Sequence, residues 1–170
     1  AGKGKKREPK NFQELYEQAM HISRAGWHGI PAPAFRTAII DVCRLVGFKM
    51  TLAKLSVFVI ADGFDADDGT PLVKITKGQP HVAEHVVRND TGVPDVRWRP
   101  MWDEWEAIVR IRYDSDQFTA TDVVNLMMRV GQQCGLGEGR PFSKDSAGQG
   151  WGTFEVLSEA MVVPMKRRAK

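Results

Sequence analysis

Two arginines flank a tryptophan at Arg97-Trp98-Arg99, and two more stand two residues apart at Arg110 and Arg112. Six of the chain's 16 glycines fall between Gly135 and Gly152. Guanidinium groups at strand spacing can meet successive phosphates, while an indole between them offers a stacking surface for a base. A glycine-rich loop brings backbone N–H groups close to an anion, because glycine turns through positive φ with no side chain in the way. Gly137, Gly139, Gly148 and Gly150 form that loop, with Arg140 and Lys144 adding charge, and Arg36, Lys74 and Lys77 extend the set. Together these residues read as a nucleic-acid surface. Plainer roles compete at each position. Trp98, Trp102 and Trp105 are also spaced for packing, Arg110 and Arg112 for pairing with Asp103, Glu104 or Glu106, and the loop for a simple change of direction.

For acid–base chemistry the best single candidate is His28, beside Gly29-Ile30-Pro31, since imidazole titrates near neutral pH; His81 or His85 with Lys74 or Arg112 is a further combination. His81 and His85 stand four residues apart but lack the carboxylate of an HExxH motif. Asp62, Asp65, Asp67 and Asp68 lack the closing Glu of a calcium loop, so a solvated hairpin is expected there. Cys43 and Cys134 have no CxxC spacing and read as small buried residues. No metal, cofactor or disulfide is expected.

The elements that must position these residues belong to a chain of 170 residues, long enough for one sizeable core, with the hydrophobic and charged fractions of a globular protein. No apolar run approaches the roughly 20 residues that cross a bilayer, and no basic-then-apolar leader is read, so a cytoplasmic protein without a membrane partner is expected. The net charge is only +3, but it is concentrated. Lys3, Lys5, Lys6, Arg7 and Lys10 crowd one end, and Lys166, Arg167, Arg168 and Lys170 the other. Residues 1–10 and 164–170 therefore read as basic disordered tails that add salt-sensitive attraction to a polyanion, around a single domain over 11–163.

Within that domain, Asn11 caps a predicted helix from Phe12 to about Ser23. A second runs from Ala32-Pro33 to about Val46, with Phe35, Ala38, Ile39, Val42 and Val46 as its apolar stripe. Lys54–Ala61 reads as a central strand, Pro71–Thr76 as its return, 81–87 as a short helix or strand, and Trp105 to about Tyr113 as one long strand. Thr119 and Asp122 resemble a capping box opening a third helix, buried through Val123, Leu126, Met127 and Val130. A closing strand begins at Phe154 and is extended by Met161–Val163. The fold class is α+β, an antiparallel sheet with two helices on one face. A strand just before Pro31 would complete the βαββαβ order of ferredoxin-like and RNA-recognition-motif domains.

Ile30-Pro31-Ala32-Pro33-Ala34-Phe35-Arg36-Thr37-Ala38 resembles the start of the first helix in the RAMP superfamily, the RNA-binding proteins of CRISPR effector complexes. Gly135-Leu136-Gly137-Glu138-Gly139-Arg140-Pro141, followed by Gly148-Gln149-Gly150-Trp151-Gly152-Thr153-Phe154, is similar to that superfamily's glycine-rich loop and closing strand. The combination also resembles a group of phage and prophage proteins. The resemblance implies a ferredoxin-like core with an inserted thumb-like segment, binding single-stranded RNA or DNA within an oligomer, filament or larger nucleoprotein complex. Some relatives are endonucleases using a histidine near the first helix, the place His28 occupies. The chain departs from the pattern in lacking an evident first strand, a full basic complement in the loop and a duplicate domain. The function expected is non-enzymatic binding of single-stranded nucleic acid. The alternatives are a phage interaction protein that mimics or blocks a host CRISPR subunit, and a metal-independent endoribonuclease.

Overall fold

The computed structural model describes residues 9–88, 92–143 and 149–157. The predicted basic tails lie almost wholly outside that set, as do Lys144, Gly148 and the predicted extension Met161–Val163. The described residues form a mixed α and β structure whose chain divides into two compact units, Ala1–Ile30 with Asp62–Ile108, and Pro31–Ala61 with Val109–Lys170.

In the first unit α1 (Phe12–Gln18) is capped by Asn11, whose side chain accepts the N–H of Glu14. The helix stops short of the predicted Ser23 because the chain folds back on itself there: Ser23 N–H donates to Trp27 O, and Ile22 bridges His28. A three-residue strand, β1 (Gly29–Pro31), stands at the place of the strand sought before Pro31, but among the described residues it does not pair with the strands Val57–Ile60 or Arg110–Tyr113 and so does not complete the expected βαββαβ sheet. It lies beside β4 (Pro71–Lys77), which also pairs with β3 (Gly63–Phe64) and β7 (Glu106–Ala107). β5 (His81–Arg88) and β6 (Pro94–Met101) make a separate hairpin, from His81 opposite Met101 to Arg88 opposite Pro94, and α1 packs on β6. Leu72 and Val73 of β4 are fully buried.

In the second unit α2 (Ala32–Leu45) begins with Pro33 in its first turn, where proline's missing N–H costs no bond. It buries Phe35, Ala38, Ile39, Val42 and Cys43, and each large apolar side chain removed from water contributes about 1.5–3 kcal/mol. α3 (Met50–Ser56) follows and occupies the first half of the predicted strand over Lys54–Ala61; only β2 (Val57–Ile60) is extended. Leu, Ala and Lys favour helix, and the β-branched run starts at Val57. Among the described residues β2 pairs only with β8 (Arg110–Tyr113), as an edge rather than a central strand.

α4 (Ala120–Arg129) opens on the capping box expected of Thr119 and Asp122. The Thr119 hydroxyl accepts the Asp122 N–H at 3.1 Å, and the Asp122 carboxylate accepts the Thr119 N–H at 2.8 Å. It buries Val123, Leu126 and Met127, then widens into a π-helical turn, Val130–Cys134. Phe35 meets Phe154 edge-on at 6.3 Å, and Phe48 meets Phe118 at 4.7 Å.

Two further expectations change. The predicted strand from Trp105 to Tyr113 is broken between Ile108 and Val109, where the chain passes from one unit to the other, so that β7 pairs with β4 and β8 with β2. Phe154 and the residues around it form no strand. They are held instead by Leu136 N–H to Gly152 O and Phe154 N–H to Gly131 O. The described strands fall into three sheets rather than one.

Candidate nucleic-acid interface

The β2–β8 register sets Phe58 opposite Arg112 and Ile60 opposite Arg110. Side chains alternate along a strand, so these four share one face, while Val57, Val59, Ile111 and Tyr113 share the other. Val57 is fully buried, whereas Arg110 and Arg112 are exposed and Ile60 is 47% exposed, so the arginine face looks outward. The Arg112 guanidinium stands 4.9 Å from the centroid of the Phe58 ring. A second guanidinium, that of Arg36 on α2, stands 5.1 Å from the same centroid. Arg36 is held from behind, its Nε donating to Val57 O at 3.0 Å and its Nη2 to Lys54 O at 2.5 Å. These bonds occupy carbonyls at the end of α3, which a cation there stabilises.

Two of the three carboxylates expected to compete for the β8 arginines hold other groups: Asp103 holds His81 at 3.0 Å and Glu106 holds Lys77 at 2.9 Å. Among the described residues Arg112 forms no ion pair, and its described interaction is with Phe58. Phe58 was absent from the sequence-derived site set. It lies in the expected strand over Lys54–Ala61, but its register with Arg112 is a long-range pairing.

Arg97, Trp98, Arg99, Lys74 and Lys77 lie in the first unit. Arg97 meets Asp95 at 3.4 Å, and Asp95 also takes Lys10. These two cations hold the Asp95 carboxyl below its ordinary range, the Lys10 hydrogen bond acting most. Trp98 is tilted against Phe12 of α1 at 5.4 Å and donates its indole N–H to Glu84 at 2.9 Å. The ring predicted as a stacking surface is thus engaged with its own helix, beside a groove of about 260 Å³ lined by Lys10, Glu14, Asp95, Arg97 and Arg99 among others. Lys74 lies 6.0 Å over Trp27.

The glycine loop is closed by its own chain. A Cβ at Gly152, whose φ is +71°, would stand 1.7 Å from Leu136 O, and one at Gly139 would stand 2.4 Å from the Trp151 ring. These glycines permit close approach of the loop to itself. Trp151 N–H donates to Gly139 O, Phe142 N–H to Cys134 O, and Arg140 Nη1 to Gly137 O at 3.0 Å. At Gly137 and Gly150 the space a Cβ would fill is open.

His28 turns its ring edge-on to Trp102 at 5.7 Å, and its Nδ1 is buried without a partner, as is Trp102 Nε1. A histidine the sequence reading passed over is better oriented. His21 Nδ1 lies 3.0 Å from the Asp65 carboxylate, which is 5% exposed, while the His21 side chain is 40% exposed. Asp65 also accepts the Asp67 N–H, Asp62 accepts that of Lys74, and Asp68 that of Thr70. Three of these aspartates thus serve the turns around them.

Cys43 and Cys134 are free and buried, and burial pushes both thiols up. Among the described residues no three His, Cys, Asp or Glu side chains are grouped to hold a metal, and no helix is long and apolar enough to cross a membrane. Compared with protein-family models, curated proteins and solved structures, the chain matches none.

Proposed function

We propose that this protein binds single-stranded nucleic acid, RNA or DNA, without chemical turnover, through the outward face of the β2–β8 ladder. The observation that carries the proposal is the pairing of Phe58 and Ile60 with Arg112 and Arg110 on one exposed face, cation beside apolar side chain on each rung. Phosphates attract guanidinium groups, and unstacked bases favour apolar and aromatic surfaces. The ferredoxin-like, RAMP-like reading belongs to the same proposal. It is supported by the order α2, α3, β2, β8, α4 within the second unit, with Asp62–Ile108 inserted in the chain between the two strands. Self-association into an oligomer or larger nucleoprotein complex is part of it too.

The test is a fluorescence-anisotropy titration of labelled single- and double-stranded RNA and DNA at two salt concentrations, with particle size measured in parallel. Arg110→Ala with Arg112→Ala should weaken single-strand binding and flatten its salt dependence. Unchanged affinity removes the proposal for this face.

A second reading, a metal-independent ribonuclease, is favoured by the His21–Asp65 pair. A buried carboxylate on Nδ1 fixes the ring and leaves Nε2, on its opposite side, to take a proton from a hydroxyl. Cleavage of labelled RNA that is lost in His21→Ala and kept in His28→Ala would establish it.

A further inference from the structure

We infer that Arg36, Phe58 and Arg112 form a phosphate clamp in which the aromatic ring is a positioning residue rather than a stacking platform. The inference rests on the reading of the ladder face as a nucleic-acid surface and goes beyond it by giving each side chain a part. Two guanidinium groups stand 5.1 and 4.9 Å from one ring centroid, so the ring's own surface is already used by cations. Bringing two like charges to one ring opposes itself electrostatically; the ring quadrupole offsets part of that repulsion, and a bound anion would remove more. Arg36 is fixed by Val57 O and Lys54 O. Arg112 is anchored among the described residues by the ring, with no carboxylate to satisfy it. A phosphate diester oxygen pair fits such a planar donor. The base that follows would then lie on the outer plane of a guanidinium or against Ile60, on the neighbouring rung.

Charge and positioning separate experimentally. The slope of log affinity against log salt counts neutralised phosphates, at about 0.7 per phosphate on a single strand, whereas positioning changes affinity at constant slope. Labelled 12-residue oligo-U and oligo-dT would be titrated over a range of salt, with inorganic polyphosphate as competitor to distinguish a nucleic-acid strand from a bare polyanion. Arg112→Ala should lower the slope by about 0.7. Phe58→Leu should weaken binding about three- to ten-fold at unchanged slope, and Phe58→Tyr should restore it. Thermal melting of each variant controls for folding.

Wild-type affinity in Phe58→Leu overturns the clamp, as does a slope that falls in Phe58→Leu as far as in Arg112→Ala. In either case binding by the wild type leaves the ladder-face proposal standing. Polyphosphate competing as well as the oligonucleotides, phosphate for phosphate, also overturns the assignment of a nucleic-acid strand to the clamp. Absence of wild-type binding to any strand removes both proposals.

Discussion

Arg112 stands directly opposite Phe58 across the β2–β8 ladder, its guanidinium 4.9 Å from the ring centroid. Cross-strand neighbours on one face are the unit by which a sheet is stabilised. On a ladder of two strands, this pair ties the strands together as well as shaping the surface. The stabilising and binding roles of the face are therefore separable only by variants that keep the ring or keep the charge.

Arg36 serves the scaffold as well as the proposed clamp. Arg36→Ala removes donors from Val57 O and Lys54 O and a cation from the Phe58 ring. The expected loss is about 1–3 kcal/mol of unfolding free energy, read from urea denaturation. A variant as stable as the wild type would mean that water replaces the guanidinium at the end of α3 without cost.

The glycine loop makes a graded prediction. Gly152→Ala places a methyl group where Leu136 O already stands, at a backbone angle that L residues resist, and should cost about 3 kcal/mol or more. Gly137→Ala meets nothing within 4 Å and should cost only the positive φ, about 1–2 kcal/mol. Equal losses at the two positions would contradict the self-closed loop.

His81 makes the stability of the β5–β6 hairpin depend on pH. Its imidazole is raised above the ordinary 6.5, first by its hydrogen bond to Asp103 and then by that to Val82 O. A raised folded-state value means that the contribution is complete below the unfolded value, near 6.5, and is lost as pH rises through the folded one. The melting temperature of the wild type should exceed that of Asp103→Asn at about pH 5 and converge on it by about pH 9, and added salt should shrink the difference because the pair is exposed. A gap that stays constant with pH would assign the effect to something other than this pair.

What the sequence disclosed was what depends on neighbours a few residues away. Asn11 and the Thr119–Asp122 box marked two helix starts and Pro33 a third; the apolar stripe of α4 was read correctly, and that of α2 up to Val42, whereas Val46 follows the last residue of the helix and is exposed. What it hid depends on pairing between distant residues. Ile108 and Val109 look like the middle of one strand, yet the chain changes partners there, from β4 to β2. Leu55 and Ser56 alternate well enough for a strand, but they complete a helix whose end Arg36 occupies from another element. The glycines advertised a shaped loop without saying that Trp151 and Leu136 of the same chain would fill the space they leave. The Trp98 indole, singled out for its flanking arginines, is turned to Phe12 by a helix nearly ninety residues earlier in the chain.

The two backbone bonds that fasten the end of the glycine loop, Leu136 N–H to Gly152 O and Phe154 N–H to Gly131 O, have a consequence during synthesis. On the ribosome α4 emerges well before the residues that close over its π-helical turn, so the turn waits with an open flank until Phe154 has left the exit tunnel. Any shortened version ending before that point would carry the same open flank permanently. The segment from Trp151 to Phe154 is therefore needed to close the second unit, even though it contains neither helix nor strand.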